Sequence, residues 1–583
     1  MVKTMQKRDM APYIAFLLIF GGTLANALPY DYTAITNCVA DPQRPQYKGG
    51  IIVNPEINEG LKGWTTFGDV KIEHRVSNKG NNFMVSHSRK HPFDSVSQNV
   101  LLLKDMFYTF SAWVQVNAKS NVTITAVFKT KEGFKYAGGV IANAGCWSML
   151  KGGVSVHSSG LTQLYFQSDD TSVDIWVDSV SLQPFTEEEW RAHQDQTVEN
   201  VRKSKVKLQV LDAKGVPLAY RNLTLRKGKI SFPFGVAINN NILTNNAYRS
   251  WFTQRFTVTT FENEMKWYST ERSRGKEDYS TSDAMLRFCK VHGISVRGHN
   301  IFWDDPSYQP GWIYGLSRNE LRAATERRMK SIVPRYAGKL LSWDVNNENL
   351  HFNYFESKIM SKVTNHFFRR TRYFDRKARL FVNDYNTIED NRDPLSLPSK
   401  YLQKLRQIQA SLGDSLLGIG IEGHFDTPNI PYMRSALDAL ASAGLPIWIT
   451  ELDVRGSNQA KYLEQILREA YAHPAIKGIV IWSAWSPQGC YRMCLTDNNF
   501  RNLATGNVVD NMLRNWGHQS SIFGTTDANG YLNASLFHGD YNLHFVQQPI
   551  TLLDESSSLP SQSFTVVDNV VEQDVKVIVQ GST

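Results

Sequence analysis

Between residues 38 and 185 apolar and polar positions alternate in short runs, FYTFSAWVQV, NVTITAVF, LTQLYFQ and VDIWVDSVSL, separated by clusters of Gly, Asn and Ser. A period of two turns every second side chain to one face of a strand, so these runs predict an all-β sandwich. A charged stretch, TEEEWRAHQDQTVENVRKSK, breaks the alternation over 186–205 and reads as a solvated helical linker. The texture changes again over 229–516. Apolar runs, FPFGVAI, TVTTFE, SVRGHNI, LLSWDVNNE, RLFVNDY, LGIGIEG, PIWITELD and GIVIWSAW, are separated there by helical stretches. Eight strands with helices between them predict an α/β fold of the (β/α)8 TIM barrel type. An open doubly wound sheet is the alternative, but the glycine-rich phosphate fingerprint that accompanies it is missing after the first strand. On either side of this region, VKLQVLDAKGVPLAYRNLTL and DANGYLNASLFHGDYNLHF share a strand, an Asp-Ala-x-Gly turn and a second strand. Residues 206–228 and 517–583 are therefore expected to pair in one small β unit beside the barrel, with two independent hairpins as the alternative.

Composition narrows the class. The chain has 583 residues, 42% hydrophobic and 20% charged, which excludes disordered, collagen-like and coiled-coil classes. Aromatic residues make up 12%, with 14 Trp and 24 Tyr, more flat amphipathic surface than packing alone demands. The net charge of +9 fits nucleic acid, acidic polysaccharide or a membrane surface and does not choose among them. The first residues choose. Lys3, Lys7 and Arg8 precede the apolar run APYIAFLLIFGGTLANA, which ends in small residues at Ala25 and Ala27, so 1–27 reads as a secretory signal peptide. A signal anchor is the alternative, although the run is shorter than a membrane span requires. A secreted basic protein points to polysaccharide and away from nucleic acid, with no membrane attachment after cleavage and a monomeric state expected. The sequons at Asn121, Asn222 and Asn533 fit the same route as glycosylation sites. Of five cysteines, Cys490 and Cys494 bracket a short loop that a disulfide can staple, and Cys38 and Cys146 flank the first β domain. Cys289 is left over as a buried thiol, and no CxxC pair or His cluster argues for a metal.

The ends of the barrel strands carry the candidate chemistry, because the loops that follow them converge on one mouth. Strand four ends WDVNNE, placing Asn347 and Glu348 at the rim, and strand seven ends ITELD, placing Glu451 and Asp453 there. Two carboxylates facing each other across the mouth are what glycoside hydrolysis needs, one as proton donor and one ionised.

The strings ENEMKW, VRGHNIFW, WDVNNE, FVNDYN, ITELD and the eighth-strand IW, in that order, resemble glycoside hydrolase family 10, the retaining endo-β-1,4-xylanases, over about 230–516. GCYRMCLTDNNF and GIEGHF are similar to its plant branch, and 38–185 resembles a family 22 carbohydrate-binding module of jelly-roll form. The resemblance implies Glu348 as general acid/base and Glu451 as nucleophile. It implies Asn347 on the sugar 2-hydroxyl, His424 on the nucleophile, and Asp453 fixing that imidazole. It further implies Glu262, Asn263, Lys266 and His299 as polar contacts on the non-reducing side, and Trp303 and Trp482 as aromatic walls, with Trp485 and Tyr491 as extensions. No cofactor is implied for catalysis. A structural calcium on Asp178 and Glu56 of the module is admitted, and Trp64, Tyr136, Trp147 and Tyr165 are candidate sugar platforms. Two departures stand out: Glu422 replaces the Gln of many bacterial members, and Asp304 replaces a second His after the strand-three Trp. Both are expected to add negative charge at the mouth. The implied activity is a secreted, wall-acting endo-1,4-β-xylanase on xylan and xylo-oligosaccharides. A xylan endotransglycosylase and a non-catalytic xylan-binding protein are the alternatives.

Overall fold

The computed structural model describes residues 28–413, 416–545, 562–568 and 570–579, so the leader assigned to 1–27 lies outside the described residues. Among them, eight parallel strands close into a barrel: β1 (Phe234–Ile238), β2 (Val258–Phe261), β3 (Ser295–Trp303), β4 (Ser342–Asn347), β5 (Arg379–Asp384), β6 (Leu417–Ile421), β7 (Ile447–Val454) and β8 (Ile476–Ile481). Each pairs with its sequence neighbour, and β1 pairs with β8 through Val236 and Ile481, which closes the ring. The strands are buried almost throughout, polar residues included, because helices cover them outside and side chains fill them inside. The open-sheet alternative is thereby excluded.

The N-terminal module is two five-stranded antiparallel sheets packed face to face. Their inward residues, among them Phe110, Phe128, Leu150, Phe166 and Val177, form one core. A disulfide joins Cys38 to Cys146, a second joins Cys490 to Cys494, and Cys289 is a buried free thiol. Burial corrects the platform candidates. Trp64, Trp147 and Tyr165 are only 4%, 5% and 3% exposed, because Trp64 belongs to the core, Trp147 packs on Phe83 and Tyr165 stacks on Phe67 at 4.0 Å. Tyr136 stays half-exposed. Burial, with Glu56 adding repulsion, pushes the Asp178 carboxyl up to about 7, although it accepts bonds from Asn81 Nδ2 (3.0 Å) and Ser179 N (2.6 Å). The two acids supply two of the six to eight oxygens a calcium ion takes, and no third acidic or His ligand joins them among the described residues.

The segments flanking the barrel fold together. Lys203–Asp212 pairs with Tyr531–Phe537 and Glu572–Val579, and Asn222–Lys227 pairs with Ser521–Thr525 and Gly539–Phe545. Val206, Leu208, Leu225, Leu536 and Leu543 fill the space between the two sheets.

The charged helix is not a solvated linker. Glu187–Arg202, opened by a Thr186/Glu189 capping box, buries Trp190, Gln194 and Arg202 against the barrel. Trp190 Nε1 and Gln194 Nε2 donate to Glu469 Oε2 at 2.9 and 2.8 Å, and Arg434 forks onto the same carboxylate at 2.5 and 2.8 Å while its guanidinium lies 3.8 Å from the Trp190 ring centroid. High net polarity hid this seam, since only four of the helix's sixteen positions are buried. Replacing Glu469 by Ala strands a buried guanidinium and is expected to destabilise the protein by about 3–5 kcal/mol, read as a lowered thermal unfolding midpoint. An unchanged midpoint would contradict the seam.

Candidate active site

Strand ends bring the polar residues of the barrel to one mouth. Asn347 closes β4 and Glu348 follows it in a left-handed conformation (φ 55°), its N–H donating to Asn383 O at 2.9 Å. Glu451 lies within β7, and Glu422 follows β6 with its backbone joined to both neighbours, Glu422 N to Asp384 O (3.0 Å) and Glu451 N to Glu422 O (2.8 Å). All three glutamates are buried.

Asn383, at the end of β5, ties them together. Its Nδ2 donates to Glu451 Oε1 (3.0 Å), Glu422 Oε1 (3.2 Å) and Asn347 Oδ1 (2.8 Å), and its Oδ1 accepts from Thr450 Oγ1 (2.6 Å). Asn347 Nδ2 lies 3.4 Å from both Glu348 Oε1 and Glu422 Oε1. The sequence reading gave Asn383 no role. Extending to β5 the question of what each strand ends with, already answered for β4 and β7, exposes it in FVNDYN.

Cations complete the balance. His424 Nε2 sits 3.3 Å from Glu422 Oε2 and 3.7 Å from Glu451 Oε2, with Nδ1 3.0 Å from Asp453 Oδ1; Asp453 also accepts from Arg492 Nε at 2.6 Å. Burial disfavours a charge on His424, but the three carboxylates outweigh it and hold its pKa well above the usual imidazole value. His299 Nδ1 lies 3.0 Å from Asp344 and 3.8 Å from Glu451. Lys266 Nζ stands 4.4 Å from the Trp303 ring and 5.5 Å from the Trp482 ring, its pKa lowered by burial against the opposing pull of the glutamates. Glu262 accepts from Ser483 Oγ at 2.9 Å and is pushed up to about 7 by burial, while Asn263 faces solvent and accepts from Tyr268.

The same surroundings drive the two strand-end glutamates apart. Burial raises Glu348 well above the ordinary range, with Asp384 and Glu451 adding repulsion and the Trp303 indole pulling the other way. Burial also acts on Glu451, but His299, His424 and Lys266 outweigh it and hold Glu451 below an ordinary carboxylate. Glu422 is raised strongly, first by burial and then by repulsion from Glu451 and Glu348. Glu422, His424 and Glu451 place one donor atom each within 4.8 Å of one another, a metal-like cluster whose charge is already balanced by His424 and Lys266.

Two expectations are corrected. Asp304 does not charge the mouth: it is fully buried and accepts from Asn349 Nδ2 (2.6 Å) and from Phe355 N (3.0 Å) in the first turn of the short helix Tyr354–Lys358 after β4. Trp485 is no sugar wall, since its ring packs between Tyr248 and Phe500 and its N–H donates to Asn498 at 2.8 Å, whereas Tyr491 is 92% exposed.

Residues 224–500 match the model of Glycosyl hydrolase family 10, and 49–172 match that of a carbohydrate binding domain. From Arabidopsis thaliana, endo-1,4-beta-xylanase 5 is 42% identical over 77% of this chain and 81% of its own. Its relative endo-1,4-beta-xylanase 5-like is 37% identical over 94% and 95%, and endo-1,4-beta-xylanase 4 is 35% identical over 86% and 85%.

The chain belongs to glycoside hydrolase family 10. In this glycoside hydrolase a further network, also absent from the sequence reading, joins the loops that follow β4 and β5 beside Glu348. His351 Nδ1 meets Asp384 Oδ1 at 2.5 Å, its Nε2 meets Asp393 Oδ2 at 2.8 Å, and its ring stacks on Tyr385 at 3.8 Å. Burial opposes a charge on His351, but the two aspartates push its pKa up to about 9. Asp393 is drawn down to about 2, whereas burial of the enclosed Asp384 outweighs His351 and leaves it raised. A folded-state pKa above the unfolded value stabilises the protein fully below about 6.5 and loses that contribution as pH rises through about 9. His351→Ala is therefore expected to cost about 3 kcal/mol at pH 6, with the deficit shrinking by pH 10, as read from urea midpoints at both pH values. An equal deficit at both would show that His351 acts by packing alone.

Proposed function

We propose that this family 10 enzyme is a secreted, retaining endo-1,4-β-xylanase that cleaves the xylan backbone of plant cell walls by double displacement. The observation that carries the reading is the opposite displacement of two carboxyls in one buried mouth: Glu348 keeps its proton and Glu451 gives its up. The xylanase relatives support the substrate.

In the first step a Glu451 oxygen attacks the anomeric carbon, the glycosidic C–O bond breaks, and the leaving oxygen takes the proton of Glu348. The carbohydrate now esterified to Glu451 removes that negative charge, so the repulsion that held the Glu348 proton weakens and Glu348 becomes a base. A water oxygen then attacks the same carbon, its proton passes to Glu348, and the Glu451 carboxylate is released. Two inversions leave the anomeric configuration retained.

The neighbours divide the remaining work. Asn347, oriented by Asn383, is placed to bond the 2-hydroxyl. His424 and Asp453 hold Glu451 ionised and in place. Lys266, Glu262, Asn263 and His299 offer donors and acceptors to the sugar on the non-reducing side, and Trp303 and Trp482 offer faces for its C–H groups. Glu422 takes part as a neutral carboxylic acid, whose proton spares Glu451 a second adjacent charge. Transfer to another sugar hydroxyl uses the same intermediate and differs only in which acceptor reaches it. Asn121, Asn222 and Asn533 are all exposed, as glycan attachment along a secretory route requires, and no helix among the described residues is long and apolar enough to cross a membrane.

Glu348→Ala is expected to lower the rate on xylan by about 10²–10⁴-fold, the contribution of a positioned general acid, and Glu451→Ala by at least as much, with retention of configuration in the wild type seen by NMR of the fresh product. Inversion, or either variant keeping wild-type activity, overturns the mechanism. The plot of kcat/KM against pH should fall on its alkaline side only well above the 4.3 of an ordinary glutamate, as Glu348 loses its raised proton. An alkaline limb at that ordinary value refutes the assignment of the acid.

A further inference from the structure

The module and the barrel interlock beside His424. Asn429 Nδ2 donates to Gly153 O at 3.0 Å, Ser435 Oγ donates to Gly152 O at 2.7 Å, and the amide of Asn391 donates to Tyr136 O. A Cβ on Gly153 would lie 2.5 Å from Pro431, so only glycine permits this approach. Lys151 and Asp438 form a buried ion pair across the seam at 2.8 Å. These contacts hold two module strands, Gly133–Ala142 and Ser148–Ser155, over the loops that follow β5 and β6.

Between them runs a cleft of about 420 Å³, within the range of sites that hold small ligands. Phe134, Tyr136 and His157 line it from the module, Asn386, Arg392 and Asp426 line it from the barrel, and it reaches His424, the residue that touches Glu422 and Glu451. Phe134 is 55% exposed and borders the cleft beside Tyr136, so its ring face is open to a ligand there.

Position in the ring says what the cleft would hold. Glu348 directly follows β4 and Glu451 lies on β7, so they divide the mouth into a β8–β1–β2–β3 half and a β5–β6 half. Glu262, Lys266, His299 and Trp482 all belong to the first half, where the proposed function puts the glycosyl part that becomes attached to Glu451. The departing part of the chain must then leave over β5 and β6, where the module stands.

We propose that this cleft is the leaving-group side of the substrate groove, so that a β-1,4-linked pyranose chain passes from the glutamates directly onto the module, with Phe134 and Tyr136 supplying ring faces and Asn386, Arg392 and Asp426 meeting hydroxyls. The inference rests on the xylanase reading. The module thereby extends the catalytic groove itself, in addition to any binding it performs alone.

The test compares kcat/KM for xylohexaose with kcat/KM for an aryl β-xylobioside, whose leaving group ends before the module, in the full chain. Phe134→Ala is expected to lower the ratio of the first to the second about fivefold, and Tyr136→Ala to lower it likewise. Val76→Ala alters an exposed residue on the module strand four places across its sheet from Ser148–Ser155 and should leave the ratio at the wild-type value. An unchanged ratio in Phe134→Ala and Tyr136→Ala, or an equal fall in Val76→Ala, overturns the shared groove. A wild type inactive on both substrates overturns the xylanase reading and this inference with it, an outcome distinct from an unchanged ratio.

Discussion

Three carboxyl groups are buried side by side at the mouth of the barrel, and the site exists only because its charge is apportioned. Coulomb repulsion between carboxylates a few ångströms apart in a poorly solvated space forbids all three from ionising together. His424, His299 and Lys266 all act on Glu451, although His424 sits nearer Glu422 (3.3 Å against 3.7 Å), and their combined pull lets Glu451 keep the charge. Glu348 and Glu422 have fewer cations and more anions around them and keep their protons. One amide, Asn383 Nδ2, reaches Glu451, Glu422 and Asn347 at once, fixing the relative positions on which that division depends.

Most of the rest of the molecule serves to hold those groups still. The strands carry the polar residues at their ends, and the outer packing keeps the strands in register. Glu469 gathers Arg434, Trp190 and Gln194 into a buried knot that binds the helix Glu187–Arg202 to the barrel. Lys151 and Asp438 do the same for the sandwich. Buried ion pairs of this sort contribute little net stability compared with apolar packing, yet they tolerate only one geometry, and so set the module's orientation over the loops after β5 and β6.

The two acidic departures from the bacterial pattern have opposite fates. Glu422 faces the glutamates and joins the shared charge balance, where its neutral form is favoured by every carboxylate near it. Asp304 turns away, bonds Asn349 and the start of the helix Tyr354–Lys358 after β4, and leaves the mouth untouched. The first residues after two different strands thus acquire unrelated roles through what each side chain meets.

The hydrophobic periodicity determined the sandwich and the barrel, since a period of two and eight apolar runs spaced by helices admit few other packings. The polar residues ending β4 and β7 likewise named Glu348 and Glu451 as partners in the mouth, because strand order alone puts them there. Tertiary structure decided what periodicity does not encode. The charged helix proved buried through Trp190, Trp64 and Trp147 proved to be interior, and Trp485 proved to be packing, because the burial of an aromatic ring depends on what covers it and not on its neighbours in the chain. Asn383, His351 and the cleft shared by module and barrel depend on residues far apart in sequence meeting within hydrogen-bonding reach, a distance that only the folded chain defines.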